Sequence, residues 1–344
     1  MVDVIKTLAS QLIVWHHFVS YGPMIKTVYP LAPHALDWIY NDGRLAVQAF
    51  LVLGGYLAAR SLAPQPEQLR FLPTWPEMAR LAWRRYLRLI RPYLVALLLA
   101  LVSAALARWL LDEPDTPAAP SWRQGLYHLF LLQDIVGVDA LSTGVWYVGI
   151  DLQLYALLLL LLWGSQRLAA PLGINEASLR QMLLVGAAGA SLCLFNRSTA
   201  LDIWGIYFLG SYGLGVVLQW WHVNKQNRTW MLALLLMYGL ALGIEWRARL
   251  IVSLLTAALL AWSLHAGYRP GPTAARIFGW FSRISFAVFL IHYPVILLVG
   301  SVVGRFWPDN VPMASAGLLA SWLLTLALGH AIHFGVEARA VVRA

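Results

Sequence analysis

Residues 84–110 read RRYLRLIRPYLVALLLALVSAALARWL, and this stretch decides the fold. No charge interrupts it between Arg91 and Arg108, and nearly every residue in that interval is aliphatic. A helix of about 20 such residues crosses the roughly 30 Å hydrocarbon core of a bilayer. Similar runs, bounded by charge or by glycine and proline, recur near 2–22, 43–63, 86–110, 146–168, 179–196, 203–222, 229–245, 248–266, 283–304 and 313–336. The sequence therefore predicts an all-α, polytopic membrane helix bundle of about ten transmembrane helices, forming a single integral-membrane domain over 1–344.

Composition agrees. The 344 residues are 60% hydrophobic and 12% charged, against about 25% charged residues in soluble domains. The shortfall runs along the whole chain and leaves no stretch for a sizeable water-soluble domain. A formal net charge of +9 is not a nucleic-acid signature here, because the basic residues flank apolar runs and form no continuous polar stripe. With both termini cytoplasmic, 17 of the 25 basic residues fall on the inner side. Asp112, Glu113 and Asp115 fall in a long outer loop, so charge bias supports that orientation for a multi-pass protein. The first span is expected to be retained, since Asp3 precedes Lys6 and no small-x-small cleavage site follows. The lone cysteine, Cys193, excludes a disulfide framework and a cysteine metal cluster, and no metal site is expected.

The longest polar segments are 63–85, inside, and 111–145, outside. Trp122–Val136, within the second, is too short to cross and is expected to be re-entrant or interfacial. Aromatic residues near the outer boundary, among them Tyr40, Trp122 and Trp146, read first as an interfacial belt. Some of these rings are also suited to stacking on sugar faces.

Ionisable residues inside spans are costly and call for a partner or a purpose. Asp3 and Lys6 stand three apart on one helix face. Eleven residues beyond Lys6, three turns, His17 returns to that face about 16 Å deeper, whereas His16 points roughly 100° away. Asp151 enters the outer end of its span in Trp146-Tyr147-Val148-Gly149-Ile150-Asp151-Leu152-Gln153-Leu154-Tyr155, at the depth expected for His17. A carboxylate there either fixes packing through an interhelical hydrogen bond or orients the imidazole and raises its basicity, as a general base requires. Arg84, Arg88 and Arg91 follow i, i+4, i+7 spacing with Arg85 beside them; the default is membrane anchoring, but such a strip also grips phosphate oxygens. His292 lies mid-span, two residues before Pro294, which frees a backbone carbonyl. Small residues in Gly43–Gly55 are explained by close helix packing.

Together these segments resemble the acyltransferase-3 family of integral-membrane acyltransferases, of the bacterial O-acyltransferase type without an appended soluble esterase-like domain. Asp3, Lys6, Ala9 and His17 match its first-span spacing, with Lys6 for the usual arginine. Phe50–Tyr56 resembles its Ser-Gly-Phe segment, with Gly54 for the serine. Arg85, Arg88 and Pro92 resemble its arginine-rich span; Trp146, Asp151, Gln153 and Tyr155 its tryptophan-to-acid segment, with aspartate for glutamate; and Ile284–Pro294 its His-x-Pro segment. The resemblance implies His17 as the catalytic histidine, with Asp151 expected as its partner. It also implies Arg84, Arg85, Arg88 and Arg91 as donor-binding residues, with Asp3, Lys6, Trp146, Tyr155 and His292 in support. The implied co-substrate is acyl-CoA, acetyl-CoA foremost, with no permanently bound cofactor, and the implied acceptor is a carbohydrate at the membrane lipid. A transporter or exporter using intramembrane His, Asp and Arg as a relay is the alternative.

Overall fold

The computed structural model describes residues 1–62, 74–111, 116–224 and 228–338. It contains no strand among them. The outer acids Asp112, Glu113 and Asp115, and the first part of the inner segment 63–85, lie outside the described residues.

The helices are α1 (Val2–Ser20), α2 (Pro23–Val28), α3 (Pro33–Asp42), α4 (Val47–Leu62), α5 (Trp75–Leu110), α6 (Trp122–Leu129), α7 (Gln133–Val136), α8 (Trp146–Leu172), α9 (Glu176–Cys193), α10 (Gly205–Val223), α11 (Arg228–Ile244), α12 (Ala248–His265), α13 (Pro272–Phe306) and α14 (Val311–Ile332). Seven segments among the described residues are long and apolar enough to cross a membrane: those containing α4, α5, α8, α9, α12, α13 and α14. The ten expected spans exceed this by α1, α10 and α11. The reason is composition and length: α1 carries Asp3, Lys6, Gln11, His16 and His17, α10 is rich in Gly, Tyr and Trp, and α11 has only 17 residues.

Two helices begin well before their apolar runs. α5 has 36 residues and α13 has 35, so each is roughly 50 Å long at 1.5 Å per residue, well beyond the hydrocarbon core. Residues 75–85, expected in a polar connection, therefore belong to α5. Its start is set by Thr74, whose hydroxyl donates to Glu77 (3.1 Å), and by Pro76 in the first turn. A hydropathy window detects only the apolar part of such a helix.

The described residues group into two compact units. The first comprises Met1–Ile5, Val47–Tyr86 and Val148–Gly271. Its centre is α10, buried almost continuously from Tyr207 to Trp220 and packed on α4, α9 and α12. Glycine makes the closest contact possible: a Cβ on Gly55 would overlap the carbonyl oxygen of Tyr212, and one on Gly215 that of Val52. The Ser211 hydroxyl, donating to Gln48 Oε1 (2.9 Å) and sharing a hydrogen bond with Ser253 (2.8 Å), ties α4, α10 and α12 together. Arg247 donates to the carbonyls of Leu192 (2.9 Å) and Ala241 (3.2 Å), satisfying acceptors near the ends of α9 and α11.

The second unit comprises Lys6–Ala46, Leu87–Tyr147 and Pro272–Ala344. α13 and α14 form its main pair, around a core that includes Val14, Phe18, Met24, Val288, Ile296 and Leu318. α1 is anchored by Thr7 Oγ1, donating to the carbonyl of Phe278 (3.1 Å), and by Gln11 Oε1, accepting from Trp322 Nε1 (2.8 Å).

The apolar stretch Trp122–Val136 becomes two short helices, α6 with 8 residues and α7 with 4. Ser121 and Gln124 form a capping box at the start of α6. The buried His128 holds the following loop: its Nδ1–H donates to Gln124 O (2.8 Å), and Leu141 N–H donates to its Nε2 (3.0 Å). Only the neutral ring can do both. Burial, opposed by the Gln124 hydrogen bond, lowers the His128 pKa. Its stabilisation is thus complete above the unfolded value of about 6.5 and is lost as pH falls through the lowered folded value, because the unfolded segment binds the proton first. The Leu141 amide, corrected for intrinsic exchange, should lose protection against hydrogen exchange on acidification, and His128→Gln should remove that pH dependence. Constant protection from neutral to acidic pH would refute the assignment.

Candidate active site

α1 and α13 bring His17 and His292 together. The Nδ1 of His17 lies 2.6 Å from the Nε2 of His292, and the Nδ1 of His292 lies 2.6 Å from the carbonyl oxygen of Phe289. A carbonyl only accepts, so His292 must carry its proton on Nδ1. In the neutral ring its Nε2 is then an acceptor, and His17 must donate from Nδ1. The chain of two hydrogen bonds leaves the His17 Nε2 as a bare lone pair, the form a general base requires. His292 is fully buried, so the pair is rigidly seated. The carbonyl used belongs to Phe289, one residue before Leu290, which Pro294 leaves without its ordinary i+4 donor.

The surroundings of His17 are aromatic. Tyr21, just past the end of α1, has its ring 6.1 Å from that of His17 and meets Tyr293 edge-on at 5.5 Å. Beside these two tyrosines is a cavity of about 30 Å³, also lined by Pro23, Thr116, Ile296 and Ser301. It has room for one or two waters or a hydroxymethyl group. Phe289 stands 6.0 Å from His292 and 5.9 Å from Tyr147, and Trp146 packs edge-on against Tyr147 at 5.9 Å.

Gly144 closes this side. Its φ is +80°, and a Cβ there would sit 3.1 Å from Phe289 Cζ and 3.4 Å from His17 Cε1. Only glycine lets the backbone turn left-handed while lying against both rings. Gly144→Ala should cost about 1–2 kcal/mol of local strain and displace the Phe289 ring. Turnover is expected to fall about tenfold, equivalent to 1.36 kcal/mol in the barrier, with little change in melting temperature. Wild-type turnover in this variant would show that the loop does not position His17.

His16 does different work from its neighbour. Its Nδ1–H donates to the carbonyl of Ile39 in α3 (3.1 Å), and a Cβ on Gly43 would come within 2.9 Å of His16 Cβ.

Asp151 is found in the first unit, on α8, and its partner there is Arg85. Arg85 Nε donates to Oδ2 (2.9 Å) and Nη2 to Oδ1 (2.7 Å), a bidentate pair. The guanidinium also lies 5.3 Å from the ring centre of Tyr155. The expected His17–Asp151 dyad is therefore not the bond either side chain makes: the imidazole takes His292 and the carboxylate takes a cation. Equal depth along two spans fixes height but not azimuth, and a buried carboxylate is satisfied far better by a fixed guanidinium than by a neutral ring. Of the expected donor strip, Arg85 is the member engaged in this ion pair. Arg84, Arg88 and Arg91 are exposed along α5, Asp3 is exposed, and Lys6 and Trp146 are half-buried.

The sequence reading did not single out Gly144, Tyr21 or Phe289. A glycine just before a span that opens on Trp146 is a legible turn signal, but that it lies on a histidine is not. Neither Tyr21 nor Phe289 differs in pattern from the other aromatic residues of these spans.

A family model described as an acyltransferase domain, of the acyltransferase-3 type, matches residues 2–330. No curated protein and no solved structure matches the chain.

Proposed function

Since this chain belongs to the acyltransferase-3 family, we propose that it moves an acyl group, acetyl foremost, from acyl-CoA on the cytoplasmic side to a hydroxyl of an extracytoplasmic or membrane-associated glycan. The observation that carries this reading is the hydrogen-bond chain from His17 through His292 to the Phe289 carbonyl, which leaves a lone pair on His17 Nε2. His17 takes the proton of the acceptor hydroxyl as that oxygen bonds to the thioester carbonyl carbon. The carbon–sulfur bond then breaks, and the imidazolium returns the proton to the leaving thiolate, giving ester and free coenzyme A. The charge on the imidazolium is shared along the chain by His292, whose ring is polarised by the carbonyl.

The donor's phosphates suit Arg84, Arg88 and Arg91, exposed on the basic part of α5; Arg85 is already bound to Asp151. The small cavity beside Tyr21 and Tyr293, which His17 does not line, suits a water or a small substituent of the acceptor next to the reacting hydroxyl. The charge bias of the loops favours both termini cytoplasmic, and the resemblance to bacterial O-acyltransferases favours the inner (plasma) membrane.

The test is acetyl-CoA turnover by the purified protein, read as thiol release, together with mass spectrometry of envelope glycans from cells with and without the active protein. Thiol release coupled to an acyl mass gained on a glycan is expected. A protein that binds but never turns over acyl-CoA would be a transporter, and the reading would fall.

A further inference from the structure

Beyond His17 the chain turns through α2 and α3 and encloses a groove of about 330 Å³. Its floor is apolar, made by Ile25, Leu36 and Val19; the last is on α1, two residues past His17. Its rim carries Lys26, Tyr29, Asp37 and Tyr40. Tyr29 and Tyr40 are 42% and 54% exposed, so their ring faces are open. The Tyr29 hydroxyl donates to both carboxylate oxygens of Asp37 (3.0 and 3.1 Å) and fixes its orientation. A carboxylate has about four lone-pair sites, so Asp37 keeps the capacity to accept further hydroxyls. The groove is tied to the catalytic helix, because His16 donates to Ile39 of α3.

Each feature selects for the same kind of ligand. Open tyrosine faces offer flat apolar area to the C–H face of a pyranose, with a polar tip beside it. A fixed carboxylate accepts a pair of neighbouring hydroxyls, and an ammonium donates to a third oxygen. Lys26 and Asp37 cancel in charge, which suits a neutral ring. A lipid chain lying there would strip water from a carboxylate and an ammonium without replacing their hydrogen bonds. The volume is that of a small-ligand cleft with a few placed polar groups.

We propose that this groove is a glycan subsite, in which a neutral pyranose stacks on Tyr40 and Tyr29 and is hydrogen-bonded by Asp37 and Lys26. Its role as the acceptor's anchor rests on the acyltransferase reading. Val19 is about 3 Å from His17 along α1 but faces roughly 200° away around the helix, so the sugar anchored there is one unit of a longer acceptor that passes the end of α1 to reach His17, and His16 ties α3 to α1.

The experiment uses the full-length protein, purified and immobilised, with one probe: envelope polysaccharide from cells that carry the protein, treated with mild base to remove O-acyl groups. The wild type should retain it. Tyr40→Ala and Asp37→Asn should weaken retention about tenfold or more, the scale of one lost hydrogen bond to a charged group. Tyr40→Phe, which keeps the ring face, should retain most of the affinity. Trp38→Ala, equally exposed but outside the groove, should retain the probe as the wild type does. These side chains are on the surface, and unchanged melting temperatures would show that the variants are folded. Equal retention by wild type, Tyr40→Ala and Asp37→Asn, or no retention by the wild type, overturns the proposal. Thiol release from acetyl-CoA is measured on the same wild-type sample. Release without retention sinks the groove alone; retention without release sinks the acyltransferase reading alone.

Discussion

His17→Ala is expected to lower transfer by about 10²–10⁴-fold, the range for loss of a positioned acid–base group, while the protein still inserts and folds. The side chain is half-buried, and among the described residues its hydrogen bond runs to His292, so alanine removes a base without opening a packed core. His292→Ala should do less harm than His17→Ala. It leaves His17 Nδ1–H without an acceptor, so the ring is free to adopt the other tautomer and present N–H in place of the lone pair. That loss should appear as a changed pH–rate profile as well as a lower maximum, because the remaining imidazole titrates without its partner. His16→Ala should spare the chemical step and raise the acceptor KM, since His16 anchors α3. Single-turnover rates at saturating acceptor, with KM measured separately, distinguish the three. If His16→Ala and His17→Ala lose the chemical step equally, His17 is not the base.

Asp151→Asn should produce its large effect on stability. The carboxylate is 9% exposed and holds Arg85 through two charge-assisted bonds. Removing one partner of a buried ion pair typically costs about 3–5 kcal/mol, because the other charge is left uncompensated. The Tyr212 hydroxyl, buried and without a hydrogen-bond partner among the described residues, can accept a hydrogen bond but carries no charge with which to replace the carboxylate. Asp151→Glu keeps the charge but must fit an extra methylene beside Tyr155, itself 8% exposed. It should be less damaging than Asn in melting temperature and still below wild type. The paired change Arg85→Met with Asp151→Leu removes both charges and should recover much of the stability lost in Asp151→Asn. Melting temperature in detergent and turnover per folded molecule give the answer. An Asp151→Asn protein that melts like the wild type yet has lost turnover would return this carboxylate to the chemistry.

Helix identity was legible because it depends on local composition. The run from Pro92 to Ala107 can hardly be anything but a buried or membrane-spanning helix, and the residues matched to a family by spacing lie in a chain whose family model covers residues 2–330. Element ends were less legible: α5 and α13 run on past their apolar parts, since a helix with a solvated charged face has no hydropathy signal to mark it. His17 stood out as a candidate from its place three turns beyond Lys6. Its partner was not.

The sequence by itself determined which residues are too costly to leave unpaired in a membrane: His17, Asp151, Arg85 and His292. Only the tertiary structure decided how they pair. His17 and His292 are separated by 275 positions and Arg85 and Asp151 by 66, and periodicity along one helix carries no information about which face of another helix it meets. Depth was available from position in a span, but azimuth depends on packing, where glycines such as Gly55 and Gly215 let backbones touch. Pairing the two imidazoles in a chain that ends on one carbonyl, and the carboxylate with a guanidinium, gives each of the four side chains a partner within its own unit while leaving His17 Nε2 open. The alternative pairing, aspartate with histidine, would leave the half-buried Arg85 guanidinium without the counter-charge it has here.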